Sequence, residues 1–514
     1  MSVKKLIKNS GSGSIAILFS RILGLVRDQI FAYLFGTSYV ADAFNLAFTI
    51  PNLLRRLFGE GALSAAFIPI YIGIGNEKGE KKQILYGIQI LYILTLFLTF
   101  LCLIGIAITP LIVKFMAPGF SQETTILATK LTRLLFPYLF FIGISSTFIA
   151  ILNTHGYYFL PGLSSAFLNI GIIGTVGIGV LFFDADPQTR VYVFASGVLI
   201  GGFLQTIVNL PLMKKSGYSF QIIREWNKTA LLNLWKKYLP GVFGIAVRQI
   251  NLVADKLLAS LLIVGSISAL NYGNRLMQLP LGIFGAAIGT AVIPHFSKSV
   301  AKKDWHELSS KIRFSLIILI YIMIPMILIM IVLGKDIIRL LFLRGEFGVS
   351  ALQMSYNALL WYSSGLLFYG WNRIIVPIFY AHKDTKTPVK VATIVVFINV
   401  ILNIVLMHFF ALSGLALATA ISAMIQYFIL TNIIKKRYIK ISYKSILPSL
   451  IKILISATIV FPISLKLKLL IPGNSIFQLL MRISFVGFSI FSLFVFFAFV
   501  LRVDYIEKIK IWKK

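Results

Sequence analysis

Arg21, Arg27 and Asp28 stand near the middle of an apolar stretch from about Ser12 to Leu34, in the segment FSRILGLVRDQIF. A charge at the centre of a bilayer costs about 2.5 to 3.5 kcal/mol on insertion scales, so three in one stretch require a compensating environment. Other apolar stretches are interrupted in the same way, by Asp42, Arg55, Arg56, Glu60, Arg248, Asp255, Lys256 and Arg275. Seven of these eleven are basic and four acidic. Surplus fixed positive charge at that depth suits an anion. Guanidinium forks take phosphate oxygens two at a time, each charge-assisted bond contributing about 1.5 to 3 kcal/mol, so three arginines suffice for a diphosphate. Pairing with near neighbours (Arg21 with Asp28, Arg56 with Glu60, Arg248 with Asp255) accounts for part of the set and leaves Arg27, Arg55 and Arg275 over.

A second group offers oxygen ligands. Asn399 and Asn403 are one helical turn apart, and Asp255 and Thr419 could complete a shell for a hard cation such as sodium if their helices meet. Buried asparagines bonding from helix to helix account for the same residues. Enzyme chemistry finds little support. There is no GxxxxGK[ST] phosphate loop for ATP hydrolysis and no aspartate-rich magnesium cluster for a polyprenyl-phosphate transferase. Five scattered histidines and one cysteine, Cys102, give no metal or disulfide framework. A transporter is expected, without a required cofactor.

The elements that must position these residues follow from composition. The 514 residues are 58% hydrophobic and 13% charged, with a mean hydropathy of +0.89, against about 25% charged in soluble domains. Apolar runs of about 20 residues recur throughout and leave no room for a soluble domain, so the fold class is all-α and polytopic, with about fourteen membrane-spanning helices. The first helix is expected to be retained, since no small-residue cleavage site closes it. The net charge of +32 does not mark a nucleic-acid partner, because the basic residues lie in alternate loops. The N-terminal tail, Gly75 to Gln83, Lys214 to Lys237, Lys298 to Lys311, His382 to Thr387, Lys435 to Lys444 and the C-terminal tail carry them. Both termini are therefore expected on the cytoplasmic side, with the excess charge attracted to anionic lipid.

The sequence also repeats itself. LFGEGALSAAFIPIY, from Leu57, returns as IFGAAIGTAVIPHF, from Ile283, at an offset of about 226, and RILGLVRD returns as RQINLVAD at 227. Pro51 and Pro161 have counterparts in Pro280 and Pro388 at nearly the same spacing. The repeat divides the chain into an N-lobe of six helices (1–215), a C-lobe of six (216–436) and a last pair of helices with the tail (437–514). Six is even, so the two copies have the same orientation, related by an axis along the membrane normal. Equivalent helices then bring the charged residues to a central cationic cavity. Glycines and prolines around Pro51 and Pro280 would allow bending, and equally serve helix packing. The amphipathic segment Gly334 to Ser350 is expected as an interfacial helix on the outer face.

SRILGLVRD, ADAFNLAFTIPNLLRRLFGEGALSAAFIP, APGF, ILNTHG and NRLMQLP resemble the lipid II flippases of the MurJ (MviN) family, in the multidrug/oligosaccharidyl-lipid/polysaccharide exporter superfamily. The resemblance covers nearly the whole chain. It implies alternating access in the bacterial cytoplasmic (inner) membrane, a groove for the polyprenyl tail at the last two helices, and lipid II as partner. Lipid II is the undecaprenyl-diphosphate-linked disaccharide pentapeptide of peptidoglycan synthesis, on which cell wall and cell shape depend. By position, the family's substrate residues fall on Arg21, Arg27, Asp28, Asp42, Asn52, Arg55, Ser268 and Arg275, the arginines binding diphosphate and the aspartates orienting them or gating. A family sodium site would fall on Asp255, Asn399, Asn403 and Thr419, with Asn403 where a second carboxylate is found in members that have it. Asn274 and Gln278 likewise replace acids found in some members. A multidrug exporter would need an acidic cavity. A flippase for another polyprenyl-diphosphate-linked oligosaccharide is the alternative, because diphosphate ligands do not report the sugars.

Overall fold

The computed structural model describes residues 3–59, 62–182, 186–219, 226–439, 447–473 and 475–503, and every regular element among them is helical. The chain forms two compact units, Met1–Ile267 and Ser268–Lys514. Glu60, the 440–446 part of the Lys435 to Lys444 loop and the 504–514 tail lie outside the described residues, as does the side chain of Arg248.

The first unit contains α1 (Val3–Phe35), α2 (Tyr39–Leu54), α3 (Ala62–Lys78), α4 (Glu80–Met116), α5 (Gln122–Thr154), α6 (Phe159–Phe182), α7 (Pro187–Ile207), the short α8 (Leu210–Lys215) and α9 (Lys228–Ser260). Local chemistry sets the starts. Ser38 accepts the Ala41 N–H at α2, Ser121 that of Thr124 at α5 and Asn227 that of Ala230 at α9, each satisfying a donor that a helix N-terminus leaves free. Asp186 caps α7, with Pro187 at its first turn, where a missing N–H does no harm. Helix α5 is the centre of this unit and packs against α2, α4 and α7, with Leu131, Leu135, Phe136 and Leu139 fully buried. Helices α6 and α7 approach so closely that a Cβ on Gly171 would stand 2.4 Å from the Gly201 backbone. This small-residue contact gives packing between membrane helices, where lipid removes the usual hydrophobic drive.

The second unit contains α10 (Ser266–Pro280), α11 (Ala286–Ala301), α12 (Trp305–Phe342), α13 (Val349–Ser364), α14 (Leu366–Ala381), α15 (Lys386–Phe410), α16 (Leu412–Arg437), α17 (Leu447–Leu470) and α18 (Ile476–Val500). Its centre is α12, which packs against α13, α14, α17 and α18. Ser475 and Gln478 form a reciprocal capping box at the start of α18.

Among the described residues, ten helical stretches are long and apolar enough to cross a membrane. Two of these stretches are built from consecutive pieces, α7 with α8 and α10 with α11. The internal repeat is visible as a repeat of elements. Helices α1 and α9 both have 33 residues, and each copy then has a broken helix with a π-helical turn, Arg55–Gly59 in one and Leu281–Gly285 in the other. These turns are themselves 226 residues apart. Each follows a proline, Pro51 or Pro280, which removes a backbone donor and widens the ladder.

The segment Gly334 to Ser350 is not a separate interfacial helix. Helix α12 continues through it to Phe342. Asp336, which made the segment look amphipathic, is buried and pairs with Lys468 of α17 (2.8 Å) and Arg482 of α18 (3.1 Å).

Candidate functional site

Helix α1 is held by its neighbours on both sides of its charges. Towards the N-terminus, Asn169 of α6 donates to the Ser20 carbonyl (3.1 Å) and Ser165 to the Ser20 hydroxyl (2.9 Å). Towards the C-terminus, Phe31 packs between Phe44 of α2 and Phe194 of α7, with ring centroids 5.1 and 5.2 Å away. Such aromatic pairs contribute about 0.5 to 1.5 kcal/mol beyond burial. Between these anchors, Arg27 donates from Nη2 (2.7 Å) and Nε (3.1 Å) to Oδ1 of Asp28, both side chains being mostly buried. Asp28 thus pairs with its chain neighbour Arg27. Arg21 is exposed and has no ion pair among the described residues.

Helix α2 presents three of the expected residues. Asp42, in its first turn, is 4% exposed and accepts the Gly265 N–H at 2.7 Å. Gly265 holds φ +90°, and a Cβ there would lie 2.2 Å from the Thr37 carbonyl oxygen, so glycine is required for this loop to reach the carboxylate. Buried Lys256 of α9 is within electrostatic reach of both Asp42 and Asp255. One turn before the break, Asn52 donates to the Phe48 carbonyl (2.9 Å). Arg55, half-buried, opens the π-helical turn, while Arg56 beside it is exposed. Adjacent helical residues point about 100° apart, so the two arginines meet different environments.

In the second unit, Ser268 and Arg275 lie two turns apart on α10, with Ser268 fully buried and Arg275 exposed. Gln278 donates to Asn274 across one turn (3.1 Å). One arginine was missed by sequence reasoning. Arg373 of α14 lies against the broken crossing of α10 and α11, its Cδ 3.5 Å from where a Gly285 Cβ would be and its Cβ 3.3 Å from that of Gly289. The dipeptide Asn372-Arg373 inside an apolar helix, echoing Asn274-Arg275, was the available signal.

The oxygen ligands proposed for a cation are distributed over both units. Asp255 of the first accepts from Asn251 (3.3 Å). In the second, Asn403 donates to the Asn399 oxygen (3.0 Å), Asn399 donates to Ser422 of α16 (3.0 Å), and Thr419 donates to the Leu415 carbonyl. In the second unit, Asn399, Asn403 and Ser422 thus form a hydrogen-bonded run between α15 and α16.

Each unit by itself thus carries arginines on apolar helices near a helix break, and in the first unit Arg27 is oriented by Asp28. Comparison with known proteins gives the family. The family model described as lipid II flippase MurJ matches residues 31–486. A probable lipid II flippase MurJ of Buchnera aphidicola subsp. Acyrthosiphon pisum is 34% identical over 436 residues, covering 84% of each chain. One from Vibrio cholerae is 34% identical, covering 82% of each chain, and the lipid II flippase MurJ of Burkholderia cenocepacia is 32% identical over the same share. A solved lipid II flippase MurJ in an inward closed conformation superposes with a TM-score of 0.78 at 31% identity, over 94% of this chain and 97% of that one. An inward-facing multidrug transporter of the MOP superfamily gives 0.69 at 13% identity, over 82% and 96%, a likeness of fold alone.

Proposed function

We propose that this chain, which belongs to the MurJ family of lipid II flippases, moves lipid II from the inner to the outer leaflet of the bacterial cytoplasmic membrane. The observation that carries the reading is Arg27, set in an apolar helix and oriented by Asp28. A charge kept at such depth marks a substrate path. Arg21, Arg27 and Arg55 of the first unit take diphosphate oxygens, and Arg275 and Arg373 of the second offer the same chemistry. Asp28 orients Arg27. Asp42 acts at one remove, fixing the start of α2 through Gly265.

Alternating exposure of these arginines to the two faces would bend the chain where its ladders are already widened, at the π turns after Pro51 and Pro280. The termini face the cytoplasm, and the last two helices, α17 and α18, accommodate the polyprenyl tail. No ATP hydrolysis enters. A cytoplasm-negative potential supplies about 2.3 kcal/mol per elementary charge per 100 mV and favours outward movement of an anion. The membrane potential alone suffices for this reading, and the proposal routes no step through sodium.

The test is outer-leaflet exposure of lipid II in cells depleted of their own flippase and supplied with this protein. Restored exposure that is lost with Arg27→Ala or Arg275→Ala, at equal membrane abundance, supports substrate and site together. Wild-type exposure in both variants overturns the arginine mechanism, and failure of the unaltered, inserted protein transfers the assignment to another polyprenyl-diphosphate glycan. Dissipating the potential should stop exposure, whereas replacing sodium by choline should not.

A further inference from the structure

Two histidines that the transport mechanism does not use stand 227 residues apart, the offset of the internal repeat. His155 caps the end of α5 and His382 the end of α14. Each is followed by a residue in the left-handed region, Gly156 at φ +83° and Lys383 at φ +60°. The next N–H then reaches back five residues, from Tyr157 to the Leu152 carbonyl and from Asp384 to that of Phe379. The repeat therefore extends from the sequence to the backbone of these two helix ends.

In each unit the histidine is linked to a tyrosine that follows a basic run. Tyr218 comes after Lys214 and Lys215 of α8, and Tyr438 after Lys435, Lys436 and Arg437 of α16. In the second unit the contact is a stack of rings, and the Tyr438 hydroxyl donates to Asp384 (2.8 Å). In the first it is a chain of hydrogen bonds. The His155 Nε2 lies 3.0 Å from the hydroxyl of Tyr71 on α3, which in turn bonds the Tyr218 hydroxyl. Both tyrosines are buried, and His155 is half-buried. A Cβ on Gly87 would stand 2.4 Å from the Tyr218 hydroxyl, so α4 closes over the far end of the chain.

A chain of this kind is sensitive to one proton. With neutral His155 accepting at Nε2, Tyr71 donates to it and Tyr218 donates to Tyr71, so both hydroxyl protons are used. A proton on Nε2 makes that nitrogen a donor. Neither tyrosine bonds another acceptor among the described residues, so one buried O–H is then left unpaired. The titratable groups facing His155 are Tyr71 of α3, Tyr218 behind it and Glu80 at the start of α4. Burial pushes the imidazole down from its usual range, and the Glu80 carboxylate offsets this only in part. The open arrangement therefore binds the proton more readily than the closed one. The closed one is complete above the ordinary histidine value of about 6.5 and weakens as the pH falls below it.

We propose that His155, Tyr71 and Tyr218 form a proton-operated lock, which releases the segment after α8 from α3 and from the end of α5 when His155 takes up a proton. The corresponding contact of the second unit stays closed, because the Tyr438 hydroxyl proton goes to a carboxylate and not to the histidine. The inference rests on the fold of the first unit, not on the flippase reading.

The experiment is hydrogen–deuterium exchange of the full-length protein at pH 7.5 and pH 5.5, with labelling times scaled for the intrinsic pH dependence of exchange. Peptides covering Leu152 to Tyr158 and Leu210 to Ser219 should exchange roughly fivefold faster or more at the lower pH, as one unpaired buried hydroxyl implies. A peptide covering Ile378 to Asp384 should not change. His155→Gln offers Tyr71 an acceptor that does not titrate, and should abolish the difference between the two pH values. Tyr218→Phe should give fast exchange at both. The comparison of pH values on the unaltered protein needs no variant. Equal scaled exchange at both pH values, an equal rise in the Ile378 to Asp384 peptide, or a pH response that survives in His155→Gln would each overturn the proposal.

Discussion

Arg27 turns onto its own chain neighbour: Nη2 and Nε both reach a single oxygen of Asp28, at 2.7 and 3.1 Å. Two bonds to one oxygen fix the plane of the guanidinium without spending its outer edge, which is the edge a phosphate would take. Arg27→Lys keeps the charge and loses the fork, so it should behave like Arg27→Ala in the lipid II exposure assay. Asp28→Asn keeps the cation but weakens its positioning, and a roughly tenfold loss of transport is expected. Equal activity of Arg27→Lys and the unaltered protein would show that charge alone matters there.

The Asp42 to Gly265 bond makes a different kind of prediction, because it concerns stability before transport. Asp42→Ala removes a charged acceptor from a buried N–H and leaves Lys256 with one fewer counter-charge. A loss of about 1.5 to 3 kcal/mol is expected. Gly265→Ala should be destabilising as well, since it combines a strained φ with a clash against Thr37. Unfolding of the purified protein in detergent measures both. If Asp42→Ala melts with the unaltered protein yet fails to transport, the carboxylate touches substrate directly.

Much of this arrangement was legible in the sequence. The charges of α1 and α2 interrupt apolar runs, and a cost of that size is conspicuous in any linear scan. The repeat was legible because two prolines and a Phe-Gly motif recur at nearly one spacing, and it reappears in two π turns 226 residues apart. The π turns themselves were not legible, since a proline announces a break but not how the ladder closes after it. Arg27 pairing with Asp28 escaped a reading based on helix faces, which joins residues seven apart and overlooks a long side chain folding onto its neighbour. The buried setting of Asp336 was not legible for a related reason. Its compensating charges, Lys468 and Arg482, come from helices more than 130 residues later, and no local window contains them.

That triad should anchor the last two helices. Asp336 bonds Lys468 of α17 and Arg482 of α18, while Lys468 also donates to the Val332 carbonyl (2.6 Å) and Arg482 to that of Ile471 (2.8 Å). Asp336→Ala leaves two cations facing each other with no anion between them, and breaking a buried pair in this way costs about 3 kcal/mol. Limited proteolysis should then cut the α17–α18 connection faster than in the unaltered protein. Unchanged cleavage would mean that apolar packing alone holds the pair against α12.

Asp384, in the connection between α14 and α15, gives the pH dependence. Burial by itself would raise its carboxyl, but the Thr387 hydroxyl and N–H (the latter at 2.9 Å) and the Tyr438 hydroxyl (2.8 Å) outweigh that and bring it down to about 2. A carboxyl lowered on folding stabilises fully above its unfolded value of about 4. That contribution is lost as the pH falls from there through about 2. The same contact links the start of α15 to the end of α16, with the His382 ring stacked on Tyr438 at 4.2 Å. Asp384→Asn should therefore lower the melting temperature at pH 7 and flatten its decline towards pH 3. A variant that melts like the unaltered protein at pH 7 would show that Tyr438 and His382 hold this corner without the carboxylate.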